Sequence, residues 1–422
     1  MLKEFRITNY KSINEETIFS LEAAPTKEVS EFPNHVINYK NERLLKISSF
    51  YGPNGGGKSN LLLAFHTMIS IILNEDIKNL SYGDNPSLSC AFSSSPLSKF
   101  EIFLITANYE IGYSLSVDLT KTKERKDFQN NLNRISLVDY QIDNEEFVFR
   151  KLNEKDFETV FIRNNKGIVN SKYLKNIDLI KNKIPLAGST SFLYYFDTSI
   201  GKGGNALFQP LYEFINDIKG VTFLNKEYRN YSFDKVSVDI INPYLSKIGE
   251  ILNAVDIHVK ELKFKEVLPN LYCLYLIRTH ENKENVELQF ASESKGTKKI
   301  INIAIDVLTN KNTSLFIADD FDAFLHPKLA RGIIEMFTSE NNTTKQLVFN
   351  SHDIINMNNK VFRRDEIWLA YRDEKYTTIY VPLSSLVDYK GKMIRKDAVY
   401  GRQYLNGKFG ADPFIKQGLK WE

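Results

Sequence analysis

The stretch FYGPNGGGKSNLLLAF, residues 50–65, decides how the chain is read. Within it, Gly52-Pro53-Asn54-Gly55-Gly56-Gly57-Lys58-Ser59 matches G-x-x-x-x-G-K-[ST] in full. The glycines of such a loop let backbone N–H groups converge on phosphate oxygens, and the helix that follows adds positive potential at its N-terminus. Asn54, Gly55, Gly56 and Gly57 are the expected cradle, with Asn60 in the first helical turn. Lys58 is expected to reach the β- and γ-phosphates of ATP, and the Ser59 hydroxyl to ligate Mg²⁺. The context agrees. LLKISSFYG, just before the loop, is a short apolar strand, and SNLLLAFHTMISIIL, just after it, is a helix apolar on almost every face and therefore buried.

Working outward, 422 residues suffice for one large or two ordinary domains with real cores. The 29 Phe and 22 Tyr supply ample core material. A formal charge of +3 argues for no partner, so any basic patch must be local. Cys90 and Cys273 each sit in an apolar run, which excludes a disulfide framework or a cysteine zinc site and fits a reducing cytoplasm. The charged, alternating N-terminus MLKEFRITNYKS does not read as a signal peptide. No apolar run approaches the roughly 20 residues of a membrane helix.

The first 120 residues read as strands around the phosphate loop: KEFRITNY, TIFSLEA, LLKISSFYG, SLSCAFS, KFEIFLITANY and EIGYSLSVDL, with residues 25–43 polar and loop-like. Residues 121–260 read as a mixed, mainly helical insertion without the heptads of a long coiled coil. GKGGN (201–205) reads as a loop, since no Lys-Ser/Thr follows it. From 261 to 422 strands and helices alternate: VKELKF, LYCLYLIRTH and VELQFA, the helix GTKKIINIAIDVLTN, the strand SLFIAD, the helix PKLARGIIEMFTSEN, then KQLVFNSHD, EIWLAYRD and YTTIYVPL. The reading is one α/β nucleotide-binding domain split by a central insertion.

Three further elements join the phosphate loop. In SLFIADDFDAFLHP (314–327) four apolar residues deliver Asp319 and Asp320, the pattern of a Walker B strand. Asp319 is the carboxylate on the Mg²⁺ side, and Asp320 occupies the position that polarises the attacking water. His352, ending the strand of QLVFNSHD, can touch the γ-phosphate or that water. Ser294 and Gly296 in ESKGTKK start a helix, which suits either a phosphate or an ordinary N-cap.

The order phosphate loop, insertion, Ser-x-Gly helix, Walker B and strand-end histidine resembles the ABC-type ATPase superfamily, in its SMC/RecF/OLD-like branch. More narrowly, the chain is similar to the bacterial AAA-type ATPases of prophage and defence islands, among them RloA-type, abortive-infection and PARIS ATPase subunits. FRITNYKSINEE (5–16) is similar to the opening strand of that family. ESKGTKK is similar to its signature, DDFDAFLHP to its Walker B and D-loop, and NSHD to its switch histidine. RRDEIWLAYRD (363–373) and YLNGKFGADPFI (404–415) are similar to its C-terminal end.

The resemblance implies an ABC-type head in which a mixed sheet with the phosphate loop joins an antiparallel subdomain. It implies a homodimer or higher homo-oligomer whose heads sandwich ATP, Ser294 and Gly296 of one head acting on the ATP of another. Asp322 and His326 would lie near that interface. It also implies a separate effector, a nuclease or a toxin, in anti-phage defence. Other readings are a nucleotide-gated scaffold with little turnover and a RecF-like DNA-repair ATPase. KTKERK (121–126) and KYLKNIDLIKNK (172–183) are the candidates for nucleic-acid contact. Two departures from the family stand out. Asp320 replaces the usual Glu, setting its oxygens about one carbon–carbon bond back, and no Gln in 86–119 supplies a Q-loop. Both point to slow hydrolysis.

Overall fold

The N-terminal strands enter an antiparallel sheet. In chain order they are β1 (Leu2–Thr8), β2 (Thr17–Ser20), the hairpin β3 (Val36–Tyr39) and β4 (Glu42–Leu45), and β5 (Ile47–Tyr51). The phosphate-loop stretch follows, then helix α1 (Lys58–Ile72), β6 (Leu97–Ile105) and β7 (Tyr109–Asp118). Next come the β8 (Thr122–Asp127) and β9 (Leu132–Val138) hairpin, β10 (Gln141–Lys151), β11 (Glu158–Asn164) and β12 (Gly167–Asn170). Helices α2 (Phe192–Ser199) and α3 (Gln209–Lys219) lead to β13 (Thr222–Phe223), β14 (Ser232–Phe233), α4 (Lys235–Ile241) and α5 (Leu245–Ala254). The remainder is β15 (Glu261–Leu268), β16 (Leu271–His280), β17 (Lys283–Gln289), α6 (Lys295–Thr309), β18 (Leu315–Ala318), α7 (Pro327–Phe337), β19 (Gln346–Asn350), β20 (Ile367–Arg372), β21 (Thr378–Pro382) and α8 (Tyr400–Leu405). This computed structural model describes residues 1–25, 31–75, 77, 88–120, 122–127, 132–138, 140–164, 167–170, 189–199, 208–224, 232–280, 283–387, 394–395 and 398–410.

Two large sheets face each other across α1. One is antiparallel, in the order β12-β11-β10-β7-β6-β1-β2. The other is the α/β sheet, in the order β13-β18-β19-β5-β20-β21. In it β18, β19, β5 and β20 run parallel, and only β21 is antiparallel. Helix α1 is apolar all round because it packs on both sheets: Phe65 stacks on Phe5 of β1, with 3.8 Å between ring centroids, and the same core holds Phe50 and Val348. A second core, with Phe316, Phe349, Ile334 and Tyr400, fills the far face of the α/β sheet. A third packs α4, α5 and α6 on the small sheet β14-β16-β15, which β17 extends from β16.

Most expected elements of both flanks form, and none of the described helices exceeds the 15 residues of α1 and α6, so no long coiled coil stands among them. No described helix is long and apolar enough to cross a membrane. Three local expectations change. The described residues of SLSCAFS, 88–93, form no strand. Leu88 and Cys90 are buried, but their backbone groups bond Lys11 and the Asn9 side chain rather than a ladder. Residues 25–43, expected as loop, contain β3 and the start of β4, whose Val36, Ile37, Leu44 and Leu45 are buried. The stretch 121–260 opens with strands, and β10 pairs with β7, so it extends the N-terminal sheet before its helices begin. GKGGN and KYLKNIDLIKNK lie outside the described residues, as do residues 411–415 at the C-terminal end.

A buried ion pair locks this extension in place. Arg163 of β11 donates to Glu145 of β10 at 2.6 Å, with both side chains almost wholly buried. Glu145 also accepts from the Tyr113 hydroxyl at 2.7 Å and from the Phe192 N–H at 3.0 Å, fastening the start of α2. Burial pushes the Glu145 carboxyl above its usual range, against the pull of Arg163. Removing one partner strands the other charge in the core, so Glu145→Ala is expected to cost about 3–5 kcal/mol in denaturant unfolding. A loss below about 1 kcal/mol would show that the pair does not lock the extension.

Candidate functional site

The parallel register brings three strand ends together. Ala318 of β18 pairs with Phe349 of β19, and Asn350 pairs with Phe50 of β5. The residues just beyond these ends are Asp319, Ser351 and the phosphate loop. The sequence candidates at the strand ends therefore converge although they lie about 300 positions apart.

Five carbonyl groups of the loop Gly52–Gly57 accept side-chain hydrogen bonds. Lys58 Nζ donates to Gly52 O at 2.9 Å and to Pro53 O at 3.1 Å. Arg372 Nε donates to Gly55 O at 2.9 Å, the Thr378 hydroxyl to Gly56 O at 3.1 Å and the Tyr380 hydroxyl to Gly57 O at 2.6 Å. Gly57 has φ 100°, and a Cβ there would lie 2.2 Å from the Thr378 hydroxyl oxygen, so only glycine fits. Asn60 Nδ2 donates to Ser12 Oγ at 2.5 Å, tying the first turn of α1 to the N-terminal segment. A glycine-rich turn running into a helix N-terminus suits an anion, and here the Gly56 N–H donates to Pro53 O at 3.0 Å. Lys58 is buried, and desolvation lowers its pKa, while Asp320, Asp319 and Asp322 pull it back up.

Asn350 stands at the junction of the strand ends, fully buried. Its Nδ2 donates to Ser59 Oγ at 3.2 Å and to Asp319 Oδ1, and its Oδ1 accepts the Asp320 N–H. Its main-chain carbonyl accepts the Phe321 N–H at 3.1 Å. Ser59 Oγ and Asp319 Oδ1, the two expected metal ligands, thus approach a single point. Two hard oxygens beside a phosphate cradle suit Mg²⁺, which keeps waters and takes substrate phosphates rather than an all-protein cage. Among the described residues no cluster of three or more His, Cys, Asp or Glu offers such a cage.

Asp320 adopts the left-handed region, with φ 47°. Besides Asn350 on its N–H, Lys299 Nζ donates to its carbonyl at 2.7 Å. Lys299 is itself drawn below the usual lysine pKa by burial, with Asp322, Asp320 and Asp319 opposing. The Asp320 side chain points outward, 62% exposed, and its Oδ1 is 4.0 Å from His352 Nε2. His352 is half-exposed, and its N–H donates to both carboxylate oxygens of Asp322, at 3.0 and 3.2 Å. Asp322 therefore anchors the histidine loop, and His326 caps α7 by accepting the Lys328 N–H at 3.2 Å.

Ser294 caps α6, its hydroxyl accepting the Thr297 N–H at 3.1 Å, and it is exposed. It lies at the same rim as the loop 320–326. A Cβ on Gly296 would meet Phe324 O at 2.6 Å, so the first turn of α6 lies directly on that loop. Sequence reasoning missed Asn350, Lys299, Arg372, Thr378 and Tyr380. Asn350 lies in the quoted NSHD and Lys299 in ESKGTKK, but nothing local marks either as facing Asp319 and Asp320. The other three back the loop from a hairpin some 320 residues downstream, and no spacing could reveal them.

A family model described as an AAA domain, putative AbiEii toxin, type IV TA system, matches residues 47–356. No curated protein matches the chain. Among solved structures, the SMC head domain from Thermotoga maritima is 13% identical, with a TM-score of 0.39, covering 90% of this chain and 98% of that one. An SmcHead bound to the C-winged helix domain of ScpA is 11% identical, with a TM-score of 0.43 and the same coverage. The family match spans most of the chain and takes in the phosphate loop, α6, Asp319, Asp320 and His352: this protein belongs to that AAA-domain family.

Proposed function

We propose that this protein binds ATP with Mg²⁺ in the Gly52–Ser59 loop and hydrolyses it slowly, as one head of an ATP-sandwiched pair that controls a separate effector in a bacterial anti-phage system. The observation that carries the nucleotide reading is the glycine-rich loop at the N-terminus of α1, its Gly55, Gly56 and Gly57 carbonyls bonded by Arg372, Thr378 and Tyr380 and its Lys58 folded onto the Gly52 and Pro53 carbonyls. Lys58 is held at Gly52 and Pro53 and needs only to exchange carbonyl oxygens for phosphate oxygens. Ser59 and Asp319 would hold Mg²⁺, which neutralises charge on the phosphates. Asp320, with His352 beside it, would orient a water for in-line attack on the γ-phosphorus. The bond to the β–γ bridging oxygen breaks, ADP departs, and the water's proton passes to the Asp320 carboxylate or on to phosphate.

The paired-head reading draws on the rim formed by Ser294, Gly296 and Phe324. Phe324 is 63% exposed, with Lys295 Nζ 4.7 Å from its ring centroid. A second head meeting this rim would cover an aromatic ring otherwise left in water, and Ser294 would face the partner's nucleotide. The defence role draws on the family description, which names a putative toxin of a type IV toxin–antitoxin system. A second reading, a nucleotide-gated scaffold with little turnover, draws on Asp320, whose short side chain is mostly exposed.

Steady-state phosphate release separates the two. Turnover that Lys58→Ala lowers by at least about a hundredfold is the expected result; tight ATP binding with no release in the unmodified protein favours the scaffold. Asp320→Glu, which moves the carboxylate about one bond toward the phosphate, is expected to raise the rate about tenfold or more, since a misplacement of about 1 Å costs on the order of a hundredfold. An unchanged or slower rate would show that Asp320 does not orient the attacking water.

A further inference from the structure

The metal ligands and the second carboxylate come from two separate segments of chain, yet all of them meet one side chain of a third. Asn350 closes β19 between β18 and β5, fully buried. A backbone N–H can only donate, so the Asn350 atom that faces the Asp320 N–H must be Oδ1. This orients the amide. Nδ2 is then committed to Ser59 Oγ and Asp319 Oδ1, and cannot itself bind a cation. The main-chain carbonyl of Asn350 takes the Phe321 N–H at 3.1 Å. Three consecutive residues, Asp319, Asp320 and Phe321, are therefore held by one asparagine: the first through its side chain, the next two through their backbone N–H groups.

We propose that Asn350 is the positioning residue that builds the divalent-cation site. Its Nδ2 sets the approach of Ser59 Oγ to Asp319 Oδ1, and its Oδ1 fixes the left-handed backbone at Asp320. One side chain thereby couples cation binding to the placement of the second carboxylate. The proposal rests on the nucleotide-binding reading of the Gly52–Ser59 loop. Outer partners that orient ligands in this way typically account for about 10- to 100-fold in metal affinity.

The test uses Mn²⁺ as the probe, followed by electron paramagnetic resonance in the presence of ATP, on the full chain. Asn350→Leu keeps roughly the side-chain volume and removes both functions. Its Mn²⁺ affinity is expected to fall about 10- to 100-fold, while ATP affinity measured in EDTA stays within about twofold. Equal losses of both affinities would mark a merely structural role, and no loss of either would overturn the proposal. Failure of the unmodified protein to bind nucleotide and Mn²⁺ would instead overturn the nucleotide-binding reading.

Asn350→Asp provides a second arm should the leucine variant not fold. It keeps the acceptor for the Asp320 N–H but replaces the donor that faces Asp319 with a second carboxylate. Two facing carboxylates repel unless a cation lies between them. Millimolar Mn²⁺ without nucleotide is expected to raise the melting temperature of Asn350→Asp by several degrees more than that of the unmodified protein. An equal response in the two proteins would overturn the placement of Asn350 against the metal ligands.

Discussion

The parallel pairing of β5 with β19 and of β19 with β18 is the constraint on which the rest of the structure depends. The three strands come from positions 47–51, 346–350 and 315–318, and they are buried on both faces between α1 and the second core. Parallel strands need long crossovers, and here the α1-to-α6 excursion, with its antiparallel sheet and helices, is the crossover between β5 and β18. In open α/β sheets the crevice beyond the carboxyl ends of the strands is where ligands sit. At those ends this chain places a serine, two aspartates, an asparagine and a histidine, beside the glycine-rich loop. A slip of one residue in β19 would turn Asn350 away from Asp319 and bury a side chain meant for the opposite face.

The charge arrangement follows from that alignment. Three aspartates, 319, 320 and 322, gather at one edge, and two partly buried lysines, 58 and 299, face them from different helices. Burial weakens the hold of both lysines on their protons, and the aspartates offset only part of that loss. Lys58 belongs to the phosphate loop, whereas Lys299 reaches from α6 to the Asp320 carbonyl. Helix α6 also carries Ser294 at its cap and lies on the Phe324 loop through Gly296. The two halves of the proposed composite site are thus mechanically joined within one chain.

What the sequence made legible was what depends on local pattern. The runs before Gly52 and Asp319 read as buried strands because a strand covered on both faces is a near-continuous run of apolar or small residues, here with only Ser48 and Ser49 as polar members. Helix α1 read as buried because its apolar residues leave no solvent face. What it hid was set by distant partners. Val36, Ile37, Leu44 and Leu45 make a buried hairpin from a stretch too polar to read as strand. Leu88 and Cys90 plug a gap beside Asn9 without joining a ladder. RRDE in 363–366 looks like surface charge, yet Arg363 and Glu366 are fully buried, paired with Asp365 and with His35. Asn350 was in plain view, but its importance lies in the pairing of β19 with strands on either side of it.

The central claim is that ATP occupies a site completed by a second head. The most direct measurement is sedimentation velocity on Asp320→Asn, which retains the side-chain shape while removing the carboxylate charge, in Mg²⁺ with ATP and then with ADP. The account predicts a species of twice the monomer mass, or a higher multiple, with ATP, reverting to monomer with ADP. A monomer under both conditions, at ATP concentrations that fill the site, would contradict it.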